Sequence, residues 1–132
     1  MLRNLAQKTK SLMLLAAQSV TADINSASAD LQMFRSFAFL VSVGTFTFTG
    51  TNKVALKIQE SDDNVTFTDA PNSAYYEGAV TELDTAGEAS KVHVIQYRGE
   101  KRYVRMALDV SGTVAAPMAI VGLSTDLEIM PS

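Results

Sequence analysis

The sequence predicts an all-β protein: a single antiparallel β-sandwich, jelly-roll-like, of about eight strands, preceded by an N-terminal arm. Three features carry that expectation. From Ser19 onward, short runs of alternating apolar and polar residues are separated by turn-forming segments. The run KVALKIQE alternates Val54, Leu56 and Ile58 with Ala55, Lys57 and Gln59, a period of two that no helix produces. Phe34 to Val43 and Pro117 to Ser124 are apolar almost throughout, as expected of strands covered on both faces. A chain of 132 residues with 47% hydrophobic and 19% charged residues has the size and composition of one globular domain with a real core.

The elements follow in chain order. Residues 1–18 form the arm, in which Arg3, Lys8 and Lys10 precede the apolar run Leu12 to Ala17. That run is shorter than the core of a secretory signal, so the arm is expected to belong to the mature protein. Leu2, Leu5, Leu12, Met13 and Ala16 share a helical face, but the cationic break at Lys8 to Lys10 and the absence of a clear cap argue against a long helix. The body spans residues 19–124, with Val20 to Ile24 as first strand and Asn25 to Ala29 as a polar loop. TFTFTG is expected as a further strand, with Phe46 and Phe48 on one face. QESDDNVTFTDA, Gln59 to Ala70, reads as strand, tight turn and strand, with Val65 and Phe67 continuing the inward alternation. KVHVIQY and RYVRMALDV read as a second hairpin around Arg98 to Lys101, with Val104, Met106, Leu108 and Val110 inward. Residues 125–132 form a tail.

Charge and composition narrow the function. A formal net charge of -3 and a pI near 5.0 argue against nucleic acid as a partner, and the run Arg98, Lys101, Arg102, Arg105 reads as a solvated hairpin end. There is no uninterrupted apolar stretch of the ~20 residues that a membrane-spanning helix needs, and no membrane partner is expected. With no cysteine, stability must come from packing or assembly. His93 is the only histidine and has no companion for a metal site or a triad. It is out of phase with Val92 and Val94, so it is expected to point to solvent or into an interface. The serines lack a nucleophile-elbow context and the seven glycines form no phosphate-binding pattern. Asp62 and Asp63 are adjacent on a turn and diverge, unlike the opposed acids of a glycosidase. No enzyme activity and no cofactor are expected. Calcium is the sharp alternative at SDDN, where Glu60, Asp62, Asp63, Asn64 and Asp69 offer enough oxygens for about six ligands. Asp and Asn are also what a tight turn selects, and the turn is the expected reading.

Two resemblances add to this. QESDDNVTFTDA followed by KRYVRM resembles the hairpin and later strand of discoidin-like, galactose-binding-like β-sandwich modules, with Phe67 where that family has Trp and Asn64 where it has Gly. Over about Ser19 to Leu123, the order TADINSASADL, LKIQESDD, FTD and YRGEKRYVRM resembles small capsid decoration, or cement, proteins of tailed bacteriophages. That resemblance implies a virion protein on the outer capsid surface, a homo-oligomer, often a trimer, whose partner is the major capsid protein and whose role is to reinforce joints between capsid subunits. Under it, Leu2, Leu5, Leu12, Leu14 and Leu15 are the expected capsid or subunit anchors, with Leu127, Ile129 and Met130 as a second set. The sequence leaves open whether these side chains instead cap their own sandwich. A tail or fibre module that binds carbohydrate through Tyr75 and Tyr76 is the alternative function.

Overall fold

The computed structural model describes residues 9–31, 36–75 and 79–125, and its described strands make two packed antiparallel sheets. Ten strands run β1 (Thr9–Val20), β2 (Ile24–Asn25), β3 (Ala29–Asp30), β4 (Ser36–Val43), β5 (Lys53–Ser61), β6 (Thr68–Asp69), β7 (Glu82–Leu83), β8 (Lys91–Tyr97), β9 (Tyr103–Ser111) and β10 (Ala116–Thr125). The first sheet has the order β1-β10-β4-β8. The second has β2-β9-β5-β6, with β3 also on β9 and β7 also on β5. Because β2 and β3 share one flank of β9, and β6 and β7 share one flank of β5, the ten segments fill eight strand positions.

The pairing has a simple logic. β1 pairs with β10, β2 and β3 with β9, β4 with β8, and β5 with β6 and β7, so the chain is one long hairpin rolled over two sheets. This is the jelly-roll arrangement. QESDDNVTFTDA is its tip, with Gln59 paired to Asp69 and Glu60 to Thr68, so the hairpin expected there is present.

Apolar side chains from both sheets meet in a single core that includes Phe39, Val41, Leu56, Ile58, Ile95, Met106, Leu108 and Ile120. Gly122 of β10 faces this core, and a Cβ there would lie 2.6 Å from Cζ of Phe37 and 3.0 Å from Cδ1 of Leu14, so the ring packs into the space that glycine leaves.

Four expectations need correction. β8 and β9 do not form a hairpin, because β8 pairs with β4 in the first sheet and β9 with β5 in the second. Alternation shows which side chains turn inward but does not name the partner strand, and the connection at Arg98 to Lys101 crosses between sheets. TFTFTG alternates as expected, with Phe48 buried and Phe46 half-buried, but it joins no ladder. Val65 is 80% exposed, because the turn with Asn64 at φ 62° breaks the phase before Phe67. The segment expected to be a first strand, Val20 to Ile24, is instead the crossing from β1 to β2.

From Thr9 on, the segment expected as an arm is strand β1. Two register shifts against β10, between Met13 and Leu15 and between Leu15 and Gln18, mark β-bulges. The first lets the consecutive residues Leu14 and Leu15 both turn inward, and the main-chain carbonyl of Leu14 accepts the N–H of Ala27 at 2.9 Å. Across the gap between β2 and β3, the N–H of Ser26 donates to the carbonyl of Met106 (2.8 Å) and its hydroxyl accepts the N–H of Met106 (2.9 Å).

The two outer faces differ in kind. On the second sheet Lys57 pairs with Asp109 (2.7 Å), Lys53 with Glu82 (3.1 Å), and Arg105 donates to Gln59 (2.8 Å). On the first sheet the register aligns Met13, Val121, Leu40 and Val94 in one row across all four strands. The rows on either side contain Leu123, Ala38 and Gln96, and Ala119, Ser42 and Val92. No residue in these three rows is ionisable.

Candidate functional site

The polar residues singled out by sequence converge at one end of the sandwich, where the β5–β6 tip meets the crossing from β8 to β9. Within the tip, Oδ1 of Asp63 accepts the N–H of Val65 (2.9 Å), the N–H of Thr66 (3.0 Å) and the hydroxyl of Ser61 (2.9 Å). Oγ of Ser61 accepts the N–H groups of Asp63 (3.1 Å) and Asn64 (2.9 Å). The two backbone donors from Thr66 and Val65, then the Ser61 hydroxyl, hold the Asp63 carboxyl below the usual aspartate range. This is how an Asp shapes a tight turn.

The other candidate calcium ligands have separate partners. Asp62 binds Nζ of Lys101 at 2.9 Å. Glu60 accepts the hydroxyl of Tyr97 at 2.8 Å, Asp69 accepts Nε2 of Gln59 at 3.0 Å, and Oδ1 of Asn64 accepts the hydroxyl of Ser28 at 2.7 Å. Each of the five oxygen-bearing side chains is thus engaged by its own donor, whereas a calcium site needs its oxygens aimed at one point. Among the described residues no three His, Cys, Asp or Glu side chains are grouped to hold a metal ion.

The basic run is likewise engaged. Arg102 grips Asp30 with two bonds of 2.9 Å from Nε and Nη2, and its guanidinium lies 4.9 Å from the centre of the Tyr103 ring. Arg105 lies 4.2 Å over the ring of Phe67. The hydrogen bonds to Asp62 and Asp30 raise the pKa values of Lys101 and Arg102 respectively. What sequence shows as an acidic loop and a basic loop is, in space, largely a set of mutual pairs.

Tyr97 is the centre of this end. It is buried, donates to Glu60, and its oxygen accepts the N–H of Lys101 at 3.1 Å. Burial, and then the Glu60 carboxylate, push its phenol well above the ordinary range. Gly99 stacks so closely that a Cβ there would lie 2.6 Å from Cζ of the Tyr97 ring. On one side is a cleft of about 150 Å³ between Leu31, Phe37 and the Gly99–Lys101 turn. On the other is an open groove of about 290 Å³ beside Glu60, Pro71 and Arg98. The first is about half, and the second about equal to, the ~300 Å³ at which small-molecule pockets begin.

His93 does not point to solvent, one of the two placements the sequence suggested beside an interface. It is buried, its Nε2 is 2.8 Å from the carbonyl of Glu88, and Val92 and Val94 are the residues that face out. The phase was legible, but not its sense. Glu88 is itself fixed by a capping box with Thr85.

Of the expected anchors, Leu14 and Leu15 are buried in this chain's own core and Leu12 packs against it. Leu2, Leu5, Leu127, Ile129 and Met130 lie outside the described residues. Their points of attachment are described: Thr9 and Thr125 are register partners, so residues 1–8 and 126–132 join the sandwich side by side at one corner. Tyr75 is half-buried and its hydroxyl accepts the N–H of Ile58 at 2.6 Å, while Tyr76 lies outside the described residues.

Sequence reasoning missed the row Met13, Val121, Leu40 and Val94. Its signal was present in the two runs that are apolar on alternate and intervening positions alike, because a strand apolar on both faces carries half of that surface away from its own core. No protein-family model matches the chain and no curated protein is similar to it. The fold and the site define a jelly-roll-like β-sandwich whose described polar groups at this end are largely engaged with one another.

Proposed function

We propose that this chain is a structural, non-enzymatic virion module: a decoration protein that sits on the outer surface of a tailed-phage capsid and braces joints between major capsid subunits. The observation that supports it best is the pairing of Thr9 with Thr125. It sets side by side the points at which residues 1–8, with Leu2 and Leu5, and residues 126–132, with Leu127 and Ile129, leave the described sandwich. Two weak attachments at one corner, repeated around a symmetric shell, give avidity without a deep pocket or a cofactor. The resemblance of Ser19 to Leu123 to decoration proteins points the same way. The carbohydrate-binding alternative depends on exposed tyrosines, and Tyr75 is packed into the fold.

The test is a titration of purified protein onto expanded, undecorated tailed-phage capsids, read by sedimentation of the shells. Saturation at a stoichiometry matching the shell's symmetry is expected, and a chain trimmed of residues 1–8 and 126–132 should lose binding with its melting temperature retained. Absence of binding, together with retention on a glycan array, overturns the proposal.

A further inference from the structure

The outer face of the first sheet carries three adjacent rows of residues without an ionisable side chain, and the polar pairs at the Tyr97 end do not use it. At its centre are Met13, Val121, Leu40 and Val94, in register across four strands. Met13 is 65% exposed and Val94 58%. From these features we infer that this face is a two-fold interface with a second copy of the same chain.

Charge is the first reason. A face without ionisable residues can lie against its own copy with no like-charge repulsion and no ion to dehydrate. The opposite face cannot, since Lys57, Asp109, Lys53 and Glu82 would have to be stripped of water. Area is the second. Strands about 4.8 Å apart, four abreast, and the eight residues of β4 at about 3.4 Å each give a face of about 19 by 27 Å, or about 500 Å². Two copies would bury about 1,000 Å², the size at which specific interfaces begin. Geometry is the third. The centre of the row falls between Val121 and Leu40, so a two-fold axis there sets Val121 over Leu40 of the second copy and Met13 over Val94. Sheets stacked face to face at about 10 Å interdigitate such side chains, a long one against a short one at each end of the row. The resemblance to decoration proteins implies three-fold assembly, and this interface is instead isologous. It does not rest on capsid binding.

The chain has no cysteine, which makes a direct test available. Met13 and Val94 lie on the two outer strands of the sheet, about 14 Å apart within one copy, beyond the reach of a bis-maleimide of about 8 Å span, whereas facing thiols on sheets about 10 Å apart fall within it. The double variant Met13→Cys/Val94→Cys should therefore be joined into a covalent dimer by that cross-linker, seen on a denaturing gel. A control pair on the other face, Lys57→Cys/Asn25→Cys, should not. In sedimentation velocity the unmodified chain should run at twice 14.2 kDa, and Met13→Lys/Val94→Lys should raise the dimer dissociation constant at least about ten-fold. A chain that stays at 14.2 kDa at every concentration, or cross-linking no greater than that of the control pair, overturns the inference. A dimer that ignores capsids would leave this inference standing and remove the proposed function, and a monomer that decorates them would do the reverse.

Discussion

Replacing Tyr97 by Phe removes one oxygen from the end of the sandwich and little else, because the ring is buried and keeps its packing. The hydroxyl makes two bonds: it donates to the Glu60 carboxylate at 2.8 Å and accepts the Lys101 N–H at 3.1 Å. A hydrogen bond to a charged group contributes about 1.5–3 kcal/mol net and a neutral one about 0.5–1.5 kcal/mol. Glu60 is half-buried and Lys101 exposed, so both recover some water, which brings the expected loss to about 2 kcal/mol. With an unfolding entropy of about 2.1 cal/mol/K per residue, or about 280 cal/mol/K for this chain, that is a fall of about 7 °C in Tm. Differential scanning calorimetry at pH 7 measures it, with Tyr103→Phe as a baseline variant whose ring still lies beside Arg102. The pH dependence gives a second reading. Because the folded phenol of Tyr97 titrates above its unfolded value, its contribution is complete below about pH 10 and is lost as pH rises beyond that. Tyr97→Phe should therefore flatten the alkaline limb of the stability curve. A Tm change under about 2 °C with an unaltered alkaline limb would refute the bridging role of the hydroxyl.

Other consequences are as direct. Leu14→Ala should cost about 2–4 kcal/mol in urea unfolding, since the side chain lies in this chain's own core; a change under about 0.5 kcal/mol would return Leu14 to the set of external anchors. Gly122→Ala places a methyl group 2.6 Å from the Phe37 ring and should cost about 1–3 kcal/mol, with Phe37→Leu recovering part of the loss in the double variant. The depressed carboxyl of Asp63 contributes stability that is complete above the ordinary aspartate value near 3.8 and is lost as pH falls through its lower folded value. In NMR titration the amides of Val65 and Thr66 should thus report a midpoint below 3.8, and a midpoint above it would contradict the turn geometry.

The parts of this fold that sequence made legible are those in which a local period decides. KVALKIQE became β5 with Val54, Leu56 and Ile58 fully buried, and the acidic stretch became a hairpin. What stayed hidden was non-local. Nothing in KVHVIQY and RYVRMALDV reveals that Tyr97 belongs to one sheet and Tyr103 to the other, because both are sound strands and the segment between them has turn chemistry. In β1, two register shifts against β10, the first of which sets Leu14 and Leu15 on the same side, erase the period of two that would have marked a strand. At the polar end, the turn role of Asp63 was readable from its neighbours, whereas the partners of Asp62 and Glu60 lie 39 and 37 positions along the chain. The apolar outer row was visible only as two runs without polar interruption, and which elements they would face depends on the topology.

Attachment to the capsid is measured most directly by a cryo-electron microscopy reconstruction of expanded tailed-phage capsids incubated with the protein. Ordered density for a 14.2 kDa sandwich is expected on the outer surface over subunit joints, with the Thr9–Thr125 corner turned toward the shell. Shells without added density, or density that meets the shell through the charged face of the second sheet, would contradict it.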